Sequence, residues 1–227
     1  MKKILTTIAA SLMAMSAYAN DIYVTQSGDS LDLDITQDGQ NNTVGNSTTA
    51  SASTGATTIL NIDQVGNSNV LKYQVNGATF TGTVNVTGDS NDIDLNCDST
   101  NGNSSCGTVT ASITMVGGSN DVDLDIGETS DASNSTVTIT SAASDDSNVI
   151  AATVDGTSAI LTITVDGDTN NWLVDIDGNG DINGHTLIHS HTGGIADVDI
   201  VQSGVYDNYI SLTTSGDNAD IDISQTD

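Results

Sequence analysis

The sequence predicts an all-β protein wound as a β-solenoid, with about eight coils of 22 residues and two strands in each coil. Three observations predict it. Apolar residues or Gln alternate with polar residues at period two, the pattern of strands with one face buried. A turn glycine returns every eleven residues, as at Gly66, Gly77 and Gly88 and again at Gly156, Gly167 and Gly178. Alternate strands share their outward chemistry, hydroxyl on one and acid on the next, so the structural repeat is 22 residues. An antiparallel sandwich would also space its strands roughly 8–12 residues apart, but it does not require that alternation.

The elements follow in order. Residues 1–19, MKKILTTIAASLMAMSAYA, combine two lysines, an apolar stretch and small residues at Ala17 and Ala19. That is the pattern of a secretory signal peptide cleaved before Asn20, so an exported protein is expected, with one repeat domain over 20–227. Beyond the signal the chain keeps one base, Lys72, against 30 acidic residues. Nucleic acid is therefore not an expected partner, because phosphate affinity comes from Lys and Arg. No later segment approaches the roughly 20 apolar residues of a spanning helix, so membrane insertion is not expected either. The absence of Pro leaves strand pairing uninterrupted.

Aligned on the turn glycine, inward positions lie two, four and six residues before it: Leu60, Ile62 and Gln64 before Gly66, and Trp172, Val174 and Ile176 before Gly178. The frame gives sixteen strand units, with turn positions at 28, 39, 66, 77, 88, 99, 117, 128, 145, 156, 167, 178, 193, 204, 216 and 227. Odd-numbered units point hydroxyls outward, such as Thr83, Ser112, Thr138, Thr162 and Ser211. Many even-numbered units point acids outward: Asp32 and Asp34, Asp92 and Asp94, Asp121 and Asp123, Asp197 and Asp199, Asp220 and Asp222. Insertions are expected near 40–56, 97–106, 128–135 and 178–185, all after even-numbered units and so along one edge. Cys97 and Cys106 bracket the polar stretch DSTNGNSS, and in an exported protein such a pair reads as a local disulfide.

With the 22-residue coil in hand, QVGNSN at 64–69 and QDGQNN at 37–42 resemble the Q-x-G-x-x-N core of the curlin repeat. That family supplies the subunits of curli, bacterial extracellular amyloid fibres built from strand, G-x-x-N turn, strand units with Gln and Asn ladders along the stack. Gln26 and Gln37 sit eleven apart in the inward frame, and Gln64, Gln202 and Gln225 are expected in the same column. The resemblance implies a secreted structural subunit of a curli-like fibre at the surface of a Gram-negative bacterium, serving adhesion and the biofilm matrix. Its implied partners are other copies of itself, other curli-like subunits and the outer-membrane secretion machinery. The residues it assigns to stacking are Gln26, Gln37, Asn42, Gln64, Asn69, Asn91, Asn120, Asn148, Asn170, Gln202 and Gln225.

Other chemistry competes with this reading. DIDGNGDIN places Asp175, Asp177, Asn179 and Asp181 at alternate positions of a turn, part of a calcium-loop pattern, although the twelfth position is Thr186 and not Glu. No resident cofactor is expected. Weak calcium binding along stacked Asp columns is the exception, and it makes a secreted calcium-binding adhesin module the alternative. Regular T-x-T rows give a second alternative, an ice-binding solenoid. His189 and His191 fall at inward positions and read as buried stand-ins for Gln. No Ser-His-Asp spacing, nucleophile elbow or phosphate loop occurs, so an enzyme is not expected.

Overall fold

β-Branched residues, Asn, Asp and Gly dominate this chain, and together they favour extended strands joined by tight corners over helix. In the computed structural model the described residues are 20–226 apart from 40, 46–48, 67, 98–105, 128–133, 143–146, 157, 177–184 and 205–207, and none of them is helical. The strands are β1 (Asn20–Ile22), β2 (Thr25–Ser27), β3 (Ser30–Asp38), β4 (Asn41–Val44), β5 (Ser51–Val65), β6 (Ser68–Thr87), β7 (Ser90–Cys97), β8 (Thr108–Val116) and β9 (Ser119–Ile126). They continue as β10 (Asn134–Ala142), β11 (Ser147–Val154), β12 (Ala159–Asp166), β13 (Thr169–Ile176), β14 (Thr186–Thr192), β15 (Ile195–Ser203), β16 (Tyr209–Ser215) and β17 (Asn218–Thr226). Every pairing is parallel, and the strands form one seventeen-stranded sheet wound on itself as a β-solenoid.

Two faces make up each coil. One, the acid face, stacks β1 with β2, then β4 with the first part of β5, then the first part of β6, then β7, β9, β11, β13, β15 and β17. The other, the hydroxyl face, stacks β3, the second parts of β5 and β6, then β8, β10, β12, β14 and β16. Among the described residues the chain thus crosses the acid face nine times and the hydroxyl face eight times. Residues stacked directly on each other are 22 apart in the tightest coils, such as Asn69 and Asn91, and 29 apart from Asn91 to Asn120. The longer coils are those that carry the insertions.

Two expectations change. The stretch 40–56 is not an insertion between units but a further pass of the acid face, Asn41–Val44 and Ser51 onward, each part paired in register with the first part of β6. Its extra residues lie inside the pass: Val44 stacks on Leu71 and Ser51 on Tyr73, so 45–50 stand where Lys72 alone separates the neighbours. Gly45 opens this detour with φ +83°, and a Cβ there would press on the Lys72 carbonyl oxygen at 2.7 Å. The additional pass shifts the two units before it to the opposite faces. Asp32 and Asp34 therefore stack on Ile59 and Asn61 of the hydroxyl face, not on the acid face.

Inward rows supply the core. Val44, Leu71, Ile93, Val122, Ile150, Trp172 and Val198 form one buried row on the acid face. Ile35, Ile62, Val84, Ile113, Ile139 and Ile163 form another on the hydroxyl face. Each fully buried side chain of this size contributes about 1.5–3 kcal/mol, and every coil gains it only against its neighbours. Corner glycines permit the tight stacking. A Cβ on Gly66 would strike the Gly39 carbonyl, and one on Gly88 the Gly66 carbonyl.

Candidate amide ladders and assembly edges

The corner Asn residues come together as one column. Asn42, Asn69, Asn91, Asn120, Asn148 and Asn170 stack in register on the acid face, all buried. From Asn69 onward each amide Nδ2 donates to the Oδ1 of the next: 2.9 Å to Asn91, 2.6 Å to Asn120, 2.7 Å to Asn148 and 2.7 Å to Asn170. The same amides reach corner carbonyls, as Asn69 does to Thr87 at 2.8 Å and Asn42 to Val65 at 2.7 Å. A buried amide unable to find partners would cost about 1–3 kcal/mol per group. From Asn91 onward the ladder gives it partners in both directions, while Asn69 Oδ1 has none among the described residues. At its far end Asn170 meets His191 Nε2 at 2.8 Å, and the row then continues with Ala196 and Ala219.

The glutamines do not share one column. Gln37 and Gln64 stack on the hydroxyl face, where Gln64 Nε2 donates to Gln37 Oε1 at 2.6 Å. Gln202 and Gln225 stack on the acid face, with Gln225 Nε2 donating to Gln202 Oε1 at 3.2 Å. Gln26 also lies on the acid face, stacked on Ser53 and away from the other glutamines. Gln64 stands on the hydroxyl face and Gln202 and Gln225 on the acid face whatever precedes them, and the pass at 41–55 exchanges the faces of Gln26 and Gln37 alone, so that Gln37 joins Gln64. Each pair stands at one end of the stack.

His191 takes a place in the row of Gln37 and Gln64 and keeps a hydrogen bond to the Asn ladder through Nε2. His189 lies in the adjacent apolar row between Ile163 and Leu212, its ring 4.4 Å from that of Trp172, and neither ring nitrogen has a hydrogen-bond partner among the described residues. Burial, with a smaller contribution from His191, holds the His189 pKa down at about 4. The sequence frame did not single out His185, although the chain buries it, with Nδ1 accepting from the Ala159 amide at 3.1 Å. Its only signal was a polar residue at an inward position.

Outside, acids stack as Asp92 on Asp121 and Asp94 on Asp123, and again as Asp197 on Asp220 and Asp199 on Asp222. Val149 and Ala151, then Asn171 and Leu173, separate the two blocks. Lys72 lies 3.5 Å from Asp94. Burial raises the pKa of Asp92 despite Lys72, with Asp121 and Asp94 adding to the rise. Burial and then Asp94 and Asp121 raise that of Asp123. Of the loop residues, Asp175 lies at the end of β13, whereas Asp177, Asn179 and Asp181 lie outside the described residues. Among the described residues no group of three or more His, Cys, Asp or Glu is placed to hold a metal. Cys97 and Cys106 are joined in a disulfide with Cα atoms 5.8 Å apart, both buried. The outward hydroxyl rows are broken by exposed Ile160 and Ile188.

The two ends of the stack are open. β1, β2 and β3 pair on one edge only, as do β16 and β17, among the described residues. Core rows run out into these edges: Ile22, Val24, Leu31 and Leu33 are half-buried at one end and Ile210 and Ile221 at the other, while Ile223 is 48% exposed. Each edge is a parallel template with free N–H and C=O groups and unfinished apolar rows. What it can do chemically is accept another strand. No protein-family model, curated protein or solved structure matches this chain.

Proposed function

We propose that the protein is a structural subunit of a curli-like extracellular fibre, exported and stacked end to end by strand addition at its open edges. The observation that carries this reading is the pair of stack ends at which, among the described residues, inward Ile, Leu and Val rows stop without cover. A solenoid that works alone needs polar capping coils for solubility. Here the terminal coils keep the same inward pattern as the middle ones. The Gln pairs at the two ends would run on through the joints and add amide hydrogen bonds along the fibre axis. In this reading the acid face keeps single subunits soluble during export. The fibre belongs to the cell surface or matrix of a Gram-negative bacterium, with outer-membrane secretion machinery as the export partner. The test follows thioflavin fluorescence and negative-stain images of the full chain expressed for secretion. Fibres that seed fresh protein are the expected result. Persistent monomer at high concentration would overturn the reading.

One observation favours a second reading, a calcium-binding adhesin module. Burial, with the neighbouring acids adding to it, raises the pKa of Asp92 and of Asp123, and a divalent cation would relieve the part that comes from repulsion. A calcium-dependent rise in melting temperature of a protein that stays monomeric would support this reading over the first.

A further inference from the structure

Resting on the fibre reading above, we propose that successive copies join head to tail with a half-turn about the stack axis. In that joint β3 of one copy pairs with β17 of the copy before it, and β1–β2 pairs with β16. The number of passes carries the proposal. Among the described residues the winding runs from β1 on the acid face to β17 on the acid face, nine passes there against eight on the hydroxyl face. The next vacant place in the winding after β17 lies on the hydroxyl face, above β16. If the following copy fills it with its own first pass, its faces are exchanged by a half-turn. Stacked without the turn, β1–β2 would meet β17, and one strand's width would stay empty between β16 and β3 at every joint, leaving both edges unpaired. A head-to-head joint would set the strands antiparallel, against a stack in which every pairing is parallel.

The residues at the two ends fit the half-turned joint. The eleven-residue frame is common to both faces, so it sets Leu33 on Ile221, Ile35 on Ile223 and Gln37 on Gln225. The two glutamine pairs, which stand on different faces of one molecule, then become one ladder of four across the joint: Gln202, Gln225, Gln37 and Gln64. Their donors already point the same way. Gln225 Nε2 donates back to Gln202 Oε1, and Gln64 Nε2 donates back to Gln37 Oε1. A bond from Gln37 Nε2 to Gln225 Oε1 continues the series. On the other face Gln26 Oε1, buried and without a hydrogen-bond partner among the described residues, comes to lie over the Thr214 hydroxyl. Asp32 and Asp34, out of place on the hydroxyl face of their own molecule, fall in line with Asp220 and Asp222 of the neighbour. The acid columns thus cross the joint as they already cross from β15 to β17.

Thiol cross-linking tests the joint, because outward positions tolerate substitution. Two double variants of the full chain are compared as fibres with a short bis-thiol reagent: Ser224→Cys with Thr36→Cys, neighbours in the half-turned joint, and Ser224→Cys with Thr25→Cys, neighbours in the unturned one. All three positions are exposed, and the native cysteines are already paired. Expected is a ladder of covalent multimers for the first variant, at least tenfold more than for the second. If fibres form and the second variant cross-links instead, or neither does, the half-turn is wrong while the fibre reading stands. If neither the variants nor the parent forms fibres, the fibre reading falls and the joint with it.

Discussion

Asn120 sits in the middle of the amide column and shows what a single residue contributes. It accepts from Asn91 and donates to both Asn148 and Ser141 Oγ, the last at 2.8 Å. Asn120→Ala removes three hydrogen bonds from a dry interior and leaves Asn91 Nδ2 only the Val116 carbonyl and Asn148 Oδ1 only the Ser141 hydroxyl, so a loss of about 1–3 kcal/mol is expected, read as a lower denaturant midpoint at unchanged slope. His189 makes a different prediction. Its pKa of about 4 in the fold lies below the ordinary 6.5, so between those values the unfolded chain binds the extra proton. Stability present above pH 6.5 is lost as the pH falls toward 4, by up to about 3 kcal/mol. His189→Leu, matching Leu212 in the next coil, is expected to flatten the melting temperature across that window. Asp92 and Asp123 run the opposite way, since their raised values mean the fold binds the proton more readily and loses stability as the pH rises past them. Asp123→Asn is therefore expected to stabilise the chain by about half a kcal/mol at neutral pH and by nothing in acid, measured by thermal melts at both. The two inward histidines were legible in the sequence from their place in the frame, and the corner Asn residues from the G-x-x-N turn pattern. The absence of a hydrogen-bond partner for His189 was not legible, because it depends on Ile163, Leu212 and Trp172 standing around it.

At the scale of the strand, the period-two rows and the corner glycines were legible because burial dictates both. The pass at 41–55 was not. Its inward residues are Asn42, Val44, Ser51 and Ser53, mostly small and polar, so hydrophobic periodicity gave no strand signal there. The detour at 45–50 also breaks the eleven-residue count that identified the other passes. Its polar interior is nonetheless satisfied: Ser53 Oγ meets Thr58 Oγ1 at 3.1 Å, and Ser51 Oγ accepts from the Val24 amide at 3.0 Å. A deletion of 46–49 is expected to keep the fold, with a melting temperature within a few degrees of the parent, because the paired parts on either side remain in register. The disulfide belongs to this scale as well. It closes a connection of sequence separation 9 at the end of β7, and its reduction is expected to cost about 2–3 kcal/mol, seen as a lower melting temperature in reductant.

For the whole molecule, net charge opposes association while the edges favour it. The full chain carries a formal charge of −27, and Asp220 and Asp222 stand at the terminal edge. Replacing both with Asn is expected to shorten the lag of fibre growth at low ionic strength several-fold, and to do much less at high salt, where screening already removes the repulsion. A lag that lengthens on substitution would show that these acids assist the joint.

The odd number of passes reaches further than the joint. Sixteen passes would leave every subunit facing the same way, and one flank of a fibre would carry every acid face. In the fibre proposed above, seventeen turn each copy over. Each flank then carries alternating blocks, acid and hydroxyl, each roughly 41 Å long at 4.8 Å per coil. A cationic heavy-atom stain would decorate such a filament as staggered bands, one flank offset from the other by a subunit, and no side of it would be a continuous polyanion.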